Sequence, residues 1–431
     1  MKYFILFLKF DYPMNKQVDY KLFFVVVLLI IFWMIMISSV SVYSSFKVTS
    51  TMVKNWLITE SYNYFYVIRN IAHVVISMII LWIFVKIPYT FFEKHARYIF
   101  FWTLSLLIVV LLMWITLKWA RWWISIPWIP FTIQPTEFLK FGFIIYLSYF
   151  FKKYKNVLHT FDSWFLPFLF VLSAVVFLVA LQPDFGTIML LAPVATLMFF
   201  VAWANVKYIL ALAVSGLLLI TVVYSIWNYD KETWKNLNSL GYITQRIDNF
   251  LSDEKTAIEN KSINYQTEQA VIAIWSWWFW WLGFWKSIQK FGYLPEVQWD
   301  FIFSVIIEEL WFFWGFIIIC MYLFIWYRWI YIALRTTDLF AKYLVVGIIS
   351  RFLIQAFINI GVNLNIVPLT WITLPFISYW WSSLLTSIMW LALVLNISRY
   401  IETKEISNKN RFWRWSKLMN FFEVTKRKIK S

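Results

Sequence analysis

The sequence predicts an all-α fold: a polytopic membrane bundle of ten transmembrane helices, with a large extracytoplasmic loop between helices seven and eight. Three observations carry that prediction. Hydrophobic residues make up 62% of the 431 positions and charged residues only 14%, at a mean hydropathy of +0.69. A soluble protein of this length would leave far more polar surface. Apolar runs near the length that crosses a bilayer, roughly 20 residues, recur along the chain. Lys and Arg gather in alternate connections between those runs, as the positive-inside rule requires of one membrane face.

The elements follow in order. The first run, 22–40, comes after Lys2, Lys9, Lys16 and Lys21. It is longer than a secretory signal core, so it reads as a retained helix rather than a cleaved leader. Runs at 64–85 and 97–117 follow, with Lys86, Lys94 and Arg97 at their connection. The fourth, 137–151, is short and follows Pro135, so its start reads as partly re-entrant. The remaining runs lie at 164–181, 187–203, 206–226, 301–326, 339–362 and 382–398. Lys152, Lys153 and Lys155 follow the fourth, Arg328 and Arg335 the eighth. The tail carries Arg411, Arg414, Lys417, Lys426, Arg427, Lys428 and Lys430. An even number of spans then puts both termini on the cytoplasmic side of the inner membrane. The chain divides into a tail at 1–21, a membrane domain at 22–400 and a basic tail at 401–431. The loop at about 227–300 mixes nine acidic with seven basic residues, which predicts a structured segment.

Charge and cysteine narrow the function classes. The net +16 sits in tails and short loops, where it reports topology rather than nucleic-acid binding. A lone cysteine, Cys320, excludes a disulfide framework and a Cys-based metal site. His73, His95 and His159 lack ligand spacing, so no metal site is assigned.

Unusual polar residues collect at the outer ends of the predicted helices. Gln134-Pro-Thr-Glu137 opens span four with Lys140 one turn further in, a spacing that lets carboxylate and ammonium pair. Gln182-Pro-Asp-Phe-Gly-Thr187 forms the turn between spans five and six. Asp300 heads Asp-Phe-Ile-Phe303 at the mouth of span eight, and Glu308 and Glu309 lie two turns inside. Ionisable groups at membrane depth usually face a bundle interior or wet cavity and mark function. The bland alternative for Glu137, Lys140 and Asp184 is capping and ion pairing at helix ends. Ser382 and Ser383 read as caps of span ten rather than nucleophiles, having no base nearby in sequence.

One compositional fact is out of pattern: 30 Trp stand against 9 Gly, whereas glycine normally runs near 7% of a chain. Runs such as Trp275-Ser-Trp-Trp-Phe-Trp-Trp281 put indoles in short polar turns that call for small residues. An aromatic belt explains single Trp at helix ends but not such doublets. The expectation is that many of these positions are UGA codons read as glycine by the source organism.

With glycine read for most Trp, Gln134-Pro-Thr-Glu137, the stretch 273–300 ending on Asp300, and 368–383 ending in Ser378-Tyr-Trp-Trp-Ser-Ser383 resemble the SEDS family of FtsW, RodA and SpoVE. The resemblance spans roughly residues 65–400. Trp285-Lys-Ser287 and the Leu-Pro-Phe-Ile-Ser-Tyr run lean towards FtsW. Trp123 and Trp280 fall where the family does not require glycine. Trp299 departs from a usual Thr, and Asn365 from a frequent Gly. The resemblance implies ten spans and a peptidoglycan glycosyltransferase that polymerises lipid II into glycan strands, in cell division. It implies Asp300 as general base for the acceptor hydroxyl. Lys140 and Arg121 would support the departing pyrophosphate, with Glu137 orienting Lys140. Asp184 and Thr187 would shape the same mouth, and Arg246, Gln266, Ser378 and Ser382 would contact substrate. A divalent cation, Mg or Mn, can bridge pyrophosphate and carboxylate, though no cofactor is assigned. Implied partners are a class B penicillin-binding transpeptidase and other divisome proteins. Competing readings are a lipid II flippase, a RodA-like elongation polymerase, and a scaffold without turnover.

Overall fold

The computed structural model describes residues 18–113, 124–125, 132–155, 165–182, 184–202, 261–276, 283–295 and 297–401, with positions 214, 216, 218, 221 and 250. Its helices are α1 (Tyr20–Val40), α2 (Val42–Lys54), α3 (Phe65–Lys86), α4 (Tyr89–Met113), α5 (Pro135–Lys153), α6 (Leu166–Ala180), α7 (Phe185–Val201), α8 (Lys261–Trp275), α9 (Ile302–Arg335), α10 (Leu339–Asn363) and α11 (Trp381–Ser398). Among them α1, α3, α4, α9, α10 and α11 are long and apolar enough to cross a bilayer. The chain is a multi-pass membrane protein. The expected span at 206–226 lies outside the described residues, apart from isolated positions.

Local chemistry sets several boundaries. The Asp19 carboxylate accepts from the Leu22 N–H at 3.2 Å and starts α1. Ser41 Oγ donates back to the Ile37 carbonyl at 2.6 Å, and the chain turns there into α2. Pro88 keeps Ile87 out of the helical region and separates α3 from α4. α5 opens with proline at its first position, where the missing N–H costs nothing.

Three features differ from the sequence reading. Helix α2 was not expected, because its composition is too polar for a span. Helix α4 starts eight residues before the apolar run, since Glu93, Lys94 and Arg97 are good helix formers that hydropathy does not register. Helix α9 continues to Arg335 for the same reason. The all-α architecture holds, with one short ladder beside it: β1 (Ile124–Ser125) and β2 (Thr132–Ile133) pair antiparallel, with Ile124 opposite Ile133.

Helix α10 is the hub, touching α5, α7, α8, α9 and α11, and α11 is buried along almost its whole length. One end of the bundle is tied by ion pairs: Lys152 bridges Glu93 and Asp338 at 2.6 and 2.7 Å, and Arg328 holds Asp19 at 2.7 Å. The opposite end carries the starts of α5, α7, α9 and α11, and there the polar groups turn inward.

Candidate active site

Asp300 sits immediately before α9, is 9% exposed, and has its carbonyl gripped by two carboxamides from α10. Asn359 Nδ2 and Asn363 Nδ2 each donate to it at 2.9 Å. The Asn363 Oδ1 in turn accepts from the Ser304 N–H at 3.1 Å and the Ser304 hydroxyl at 2.6 Å. Helix α9 has no capping side chain of its own, so Asn363 caps it from a neighbouring helix.

The Glu137–Lys140 pair forms as its spacing predicts, at 2.7 Å and almost fully buried. Sequence reasoning missed its third member. Arg351, fully buried on α10, reaches the other Glu137 oxygen at 3.3 Å, and Thr386 donates to that oxygen at 3.2 Å. Two cations share one carboxylate, so the cluster carries an excess positive charge. Arg351 and Asn359 are eight residues apart on α10, about 12 Å along its axis. The cluster therefore lies about two turns deeper than Asp300 and is joined to it through α10, not by contact.

The signal for this was present in the sequence. Arg351, Gln355, Asn359 and Asn363 recur every four residues in an apolar helix, a spacing that stacks them on one face. All four are buried. Gln355 Nε2 donates to the Thr373 carbonyl at 2.9 Å, and Asn359 Nδ2 also donates to the Ile372 carbonyl at 2.7 Å. This face satisfies the irregular segment 364–380, which is mostly buried. Non-helical backbone survives at membrane depth only with such partners.

That segment closes around the Asp300 turn. The Tyr379 N–H donates to the Gln298 carbonyl at 2.9 Å. Ser378 Oγ accepts from the Leu374 N–H at 2.7 Å, and Tyr322 donates to the Pro375 carbonyl. Trp380 Nε1 donates to Gln134 Oε1 at 3.0 Å, and its ring meets Trp299 edge-on. Burial pushes the Tyr379 hydroxyl far above the usual tyrosine range, with Arg69 opposing more weakly, so it stays neutral. Ser378 thus serves the loop's own backbone.

Other expected residues fall differently. The Asp184 carboxylate is spent on Thr187, accepting from its N–H at 3.0 Å and its hydroxyl at 2.7 Å, a cap of α7. Ser382 does not cap α11: Trp380 holds the capping position without a side-chain bond, and Ser382 Oγ is buried with no hydrogen-bond partner among the described residues. Its neighbour Ser383 bonds Thr373 at 3.0 Å instead. Gln266 is half-buried on α8, which packs on α9 and α10. Arg121 and Arg246 lie outside the described residues. Among the described residues no group of three or more His, Cys, Asp or Glu could hold a metal ion.

Glu308 and Glu309 have a structural task. Glu308 accepts from Ser287 Oγ at 2.5 Å and from the N–H groups of Ile288 and Gln289 at 3.0 and 3.4 Å. Glu309 meets buried Lys290 at 2.8 Å and accepts from Ser39 of α1 at 2.7 Å. Together they fasten segment 283–292 to the bundle just before the Asp300 turn.

Residues 19–403 match the family model for FtsW, RodA and SpoVE, described as cell cycle proteins. The stage V sporulation protein E of Bacillus subtilis is 30% identical over 345 residues, 78% of this chain and 88% of that protein. A probable peptidoglycan glycosyltransferase FtsW of the same species is 30% identical over 400 residues, 92% and 94% of the two chains. Another FtsW so named, from Trichlorobacter lovleyi, is 33% identical over 328 residues, 75% and 81% of the two chains. Among solved structures, a chain from a peptidoglycan synthase complex superposes with a TM-score of 0.66 at 20% identity, covering 90% of this chain and 100% of that one. The crystal structure of RodA from Thermus thermophilus gives 0.61 at 19% identity, covering 90% and 99%. At these identities the two structures establish a shared fold.

Proposed function

Because the chain belongs to the FtsW–RodA–SpoVE family of cell cycle proteins, we propose that it is a peptidoglycan glycosyltransferase that polymerises lipid II at the outer face of the cytoplasmic membrane. We place it in cell division, in a bundle of ten spans with both termini inside, beside a class B penicillin-binding transpeptidase. Relatives named as peptidoglycan glycosyltransferases over most of the chain support the activity.

The observation that carries the catalytic assignment is Asp300. Its carboxylate belongs to a residue whose main chain is pinned at the head of a membrane helix, on the end where the polar groups converge. Transfer requires the acceptor hydroxyl to attack the anomeric carbon of the donor sugar as the bond to the lipid pyrophosphate breaks. Asp300 takes the hydroxyl proton. The excess positive charge of Glu137, Lys140 and Arg351 favours the negative charge that develops on the leaving group. At about 12 Å of helix rise this is a field effect rather than a contact. Arg121 remains the proposed direct phosphate contact, and Arg246 a proposed contact to the rest of the substrate. Among the described residues no group of three or more His, Cys, Asp or Glu could hold Mg or Mn, so such an ion would come with the substrate and would supply charge neutralisation to its pyrophosphate.

A flippase reading needs a charged path open to the inner side. Glu137, Lys140 and Arg351 are instead sealed, at 4%, 5% and 0% exposure. The test is glycan formation from lipid II by the purified protein. Asp300→Asn is expected to lower the rate at least a hundredfold, the lower range for losing a general base. Normal polymerisation by that variant refutes the assignment.

A further inference from the structure

We propose that Asn359 and Asn363 are positioning residues for glycosyl transfer, acting through the main chain of Asp300. This rests on Asp300 as the base. Both Nδ2 atoms face carbonyl oxygens: Asp300 and Ile372 for Asn359, Asp300 and the Asn359 carbonyl for Asn363. A carbonyl only accepts, so each contacting atom must be the amide nitrogen, and the carboxamide orientations are determined. Each uses two donors, and the Asn363 oxygen takes two more bonds from Ser304. No other side chain of that size offers two donors and an acceptor. A carbonyl held from two directions leaves the residue little freedom to rotate. The Asp300 carboxylate is thereby aimed from one turn of a rigid helix rather than from the loop that bears it. Asn359 also holds the 364–380 segment through Ile372, so the base and the loop facing it share one anchor.

Reaction geometry tolerates little error: a 1 Å displacement costs roughly a hundredfold. Asn359→Leu and Asn363→Leu in the full-length protein should each lower kcat by roughly ten- to a hundredfold, with KM for lipid II unchanged within about twofold. Gln355→Leu is the control. It sits one turn away on the same face and loses comparable buried bonds, but to Thr373 and not Asp300, so kcat should hold. Equal losses from all three variants would mean generic destabilisation and overturn the proposal. Should the leucine variants not fold, Asn359→Asp keeps the shape while setting an acceptor against the Asp300 carbonyl; unchanged kcat there also overturns it. Asp300→Asn run alongside separates the two levels. If it is inactive while the asparagine variants keep full kcat, only the positioning role fails.

Backbone geometry carries a second inference independently: Trp56, Trp285 and Trp311 are glycine in the protein its own cell makes. Among the described residues five non-glycine positions have positive φ, and these are three of them. Trp56 closes α2 with φ of 58°, its N–H on the Val53 carbonyl at 3.0 Å and the Leu57 N–H on Met52 at 2.9 Å. That is the Schellman bond pattern, whose left-handed residue is usually glycine. Trp285 is third in the turn closed by Lys286 N–H on the Gly283 carbonyl at 3.1 Å, with φ of 71°. Trp311 interrupts α9 at φ 75° and ψ 163°, a region essentially reserved for glycine. All three indoles are exposed, as side chains with no designed pocket would be. Mass spectrometry of the protein from its native cell should find glycine at these positions, encoded by UGA. Tryptophan there, or UGG codons, sinks the inference.

Discussion

At the scale of single residues, buried charge shows the balance most clearly. Glu137 meets both Lys140 and Arg351 away from water, and removing one partner of a buried pair leaves the other uncompensated. Glu137→Gln strands two cations and should destabilise the protein by about 3–5 kcal/mol. Arg351→Met leaves a neutral pair and should cost less, in thermal unfolding of the detergent-solubilised protein. The reverse ranking would mean that Arg351 is held by something stronger than Glu137. Asn365 is explained at this scale too. Its φ of 56° lies where asparagine is tolerated, and its N–H and that of Ile366 close α10 on Val362 and Gly361. The departure from glycine is conservative in conformation.

At the scale of elements, the segment before Asp300 depends on one fully buried cation. Lys290 holds Glu309, Ser39 and the Trp285 carbonyl. Lys290→Met should free segment 283–292, seen as faster amide exchange at Gln289–Phe291, with a loss of about 3–5 kcal/mol. Unchanged exchange would show that Glu308 suffices to hold it. The elements were legible from sequence to different degrees. Apolar runs located the helices because a bilayer demands contiguous hydrophobicity. Polar extensions such as 89–96 and the whole of α2 escaped, since hydropathy does not report helix propensity. The Glu137–Lys140 pair was readable because its members share a turn. Arg351, 214 residues from Glu137, and Asn363, 63 residues from Asp300, pair through tertiary folding. Only the four-residue rhythm of polar groups along α10 betrayed them.

At the scale of the whole molecule the two ends of the bundle are built differently. The end tied by Lys152, Glu93, Asp338, Arg328 and Asp19 uses partly exposed charges, with Lys152 at 32%. Exposed pairs contribute roughly 0–1 kcal/mol each and weaken with salt. Lys152→Ala should therefore cost no more than about 1 kcal/mol, a difference that high salt erases. A larger, salt-independent loss would show that this end is sealed. The Asp300 end relies on buried hydrogen bonds, which salt does not screen.

Synthesis is vectorial, and this bears on the carboxylate of α5. Glu137 enters the translocon with Lys140 three residues behind it, a travelling counter-ion that makes α5 nearly neutral before any neighbour exists. Arg351 emerges much later, and α10 has to carry a lone guanidinium, worth about 2.5–3.5 kcal/mol against insertion, until it docks beside α5. Docking of α10 is then the committing event of biogenesis. A nascent chain cut before residue 339 should still insert α5 fully, as engineered glycosylation sites on its flanks can report.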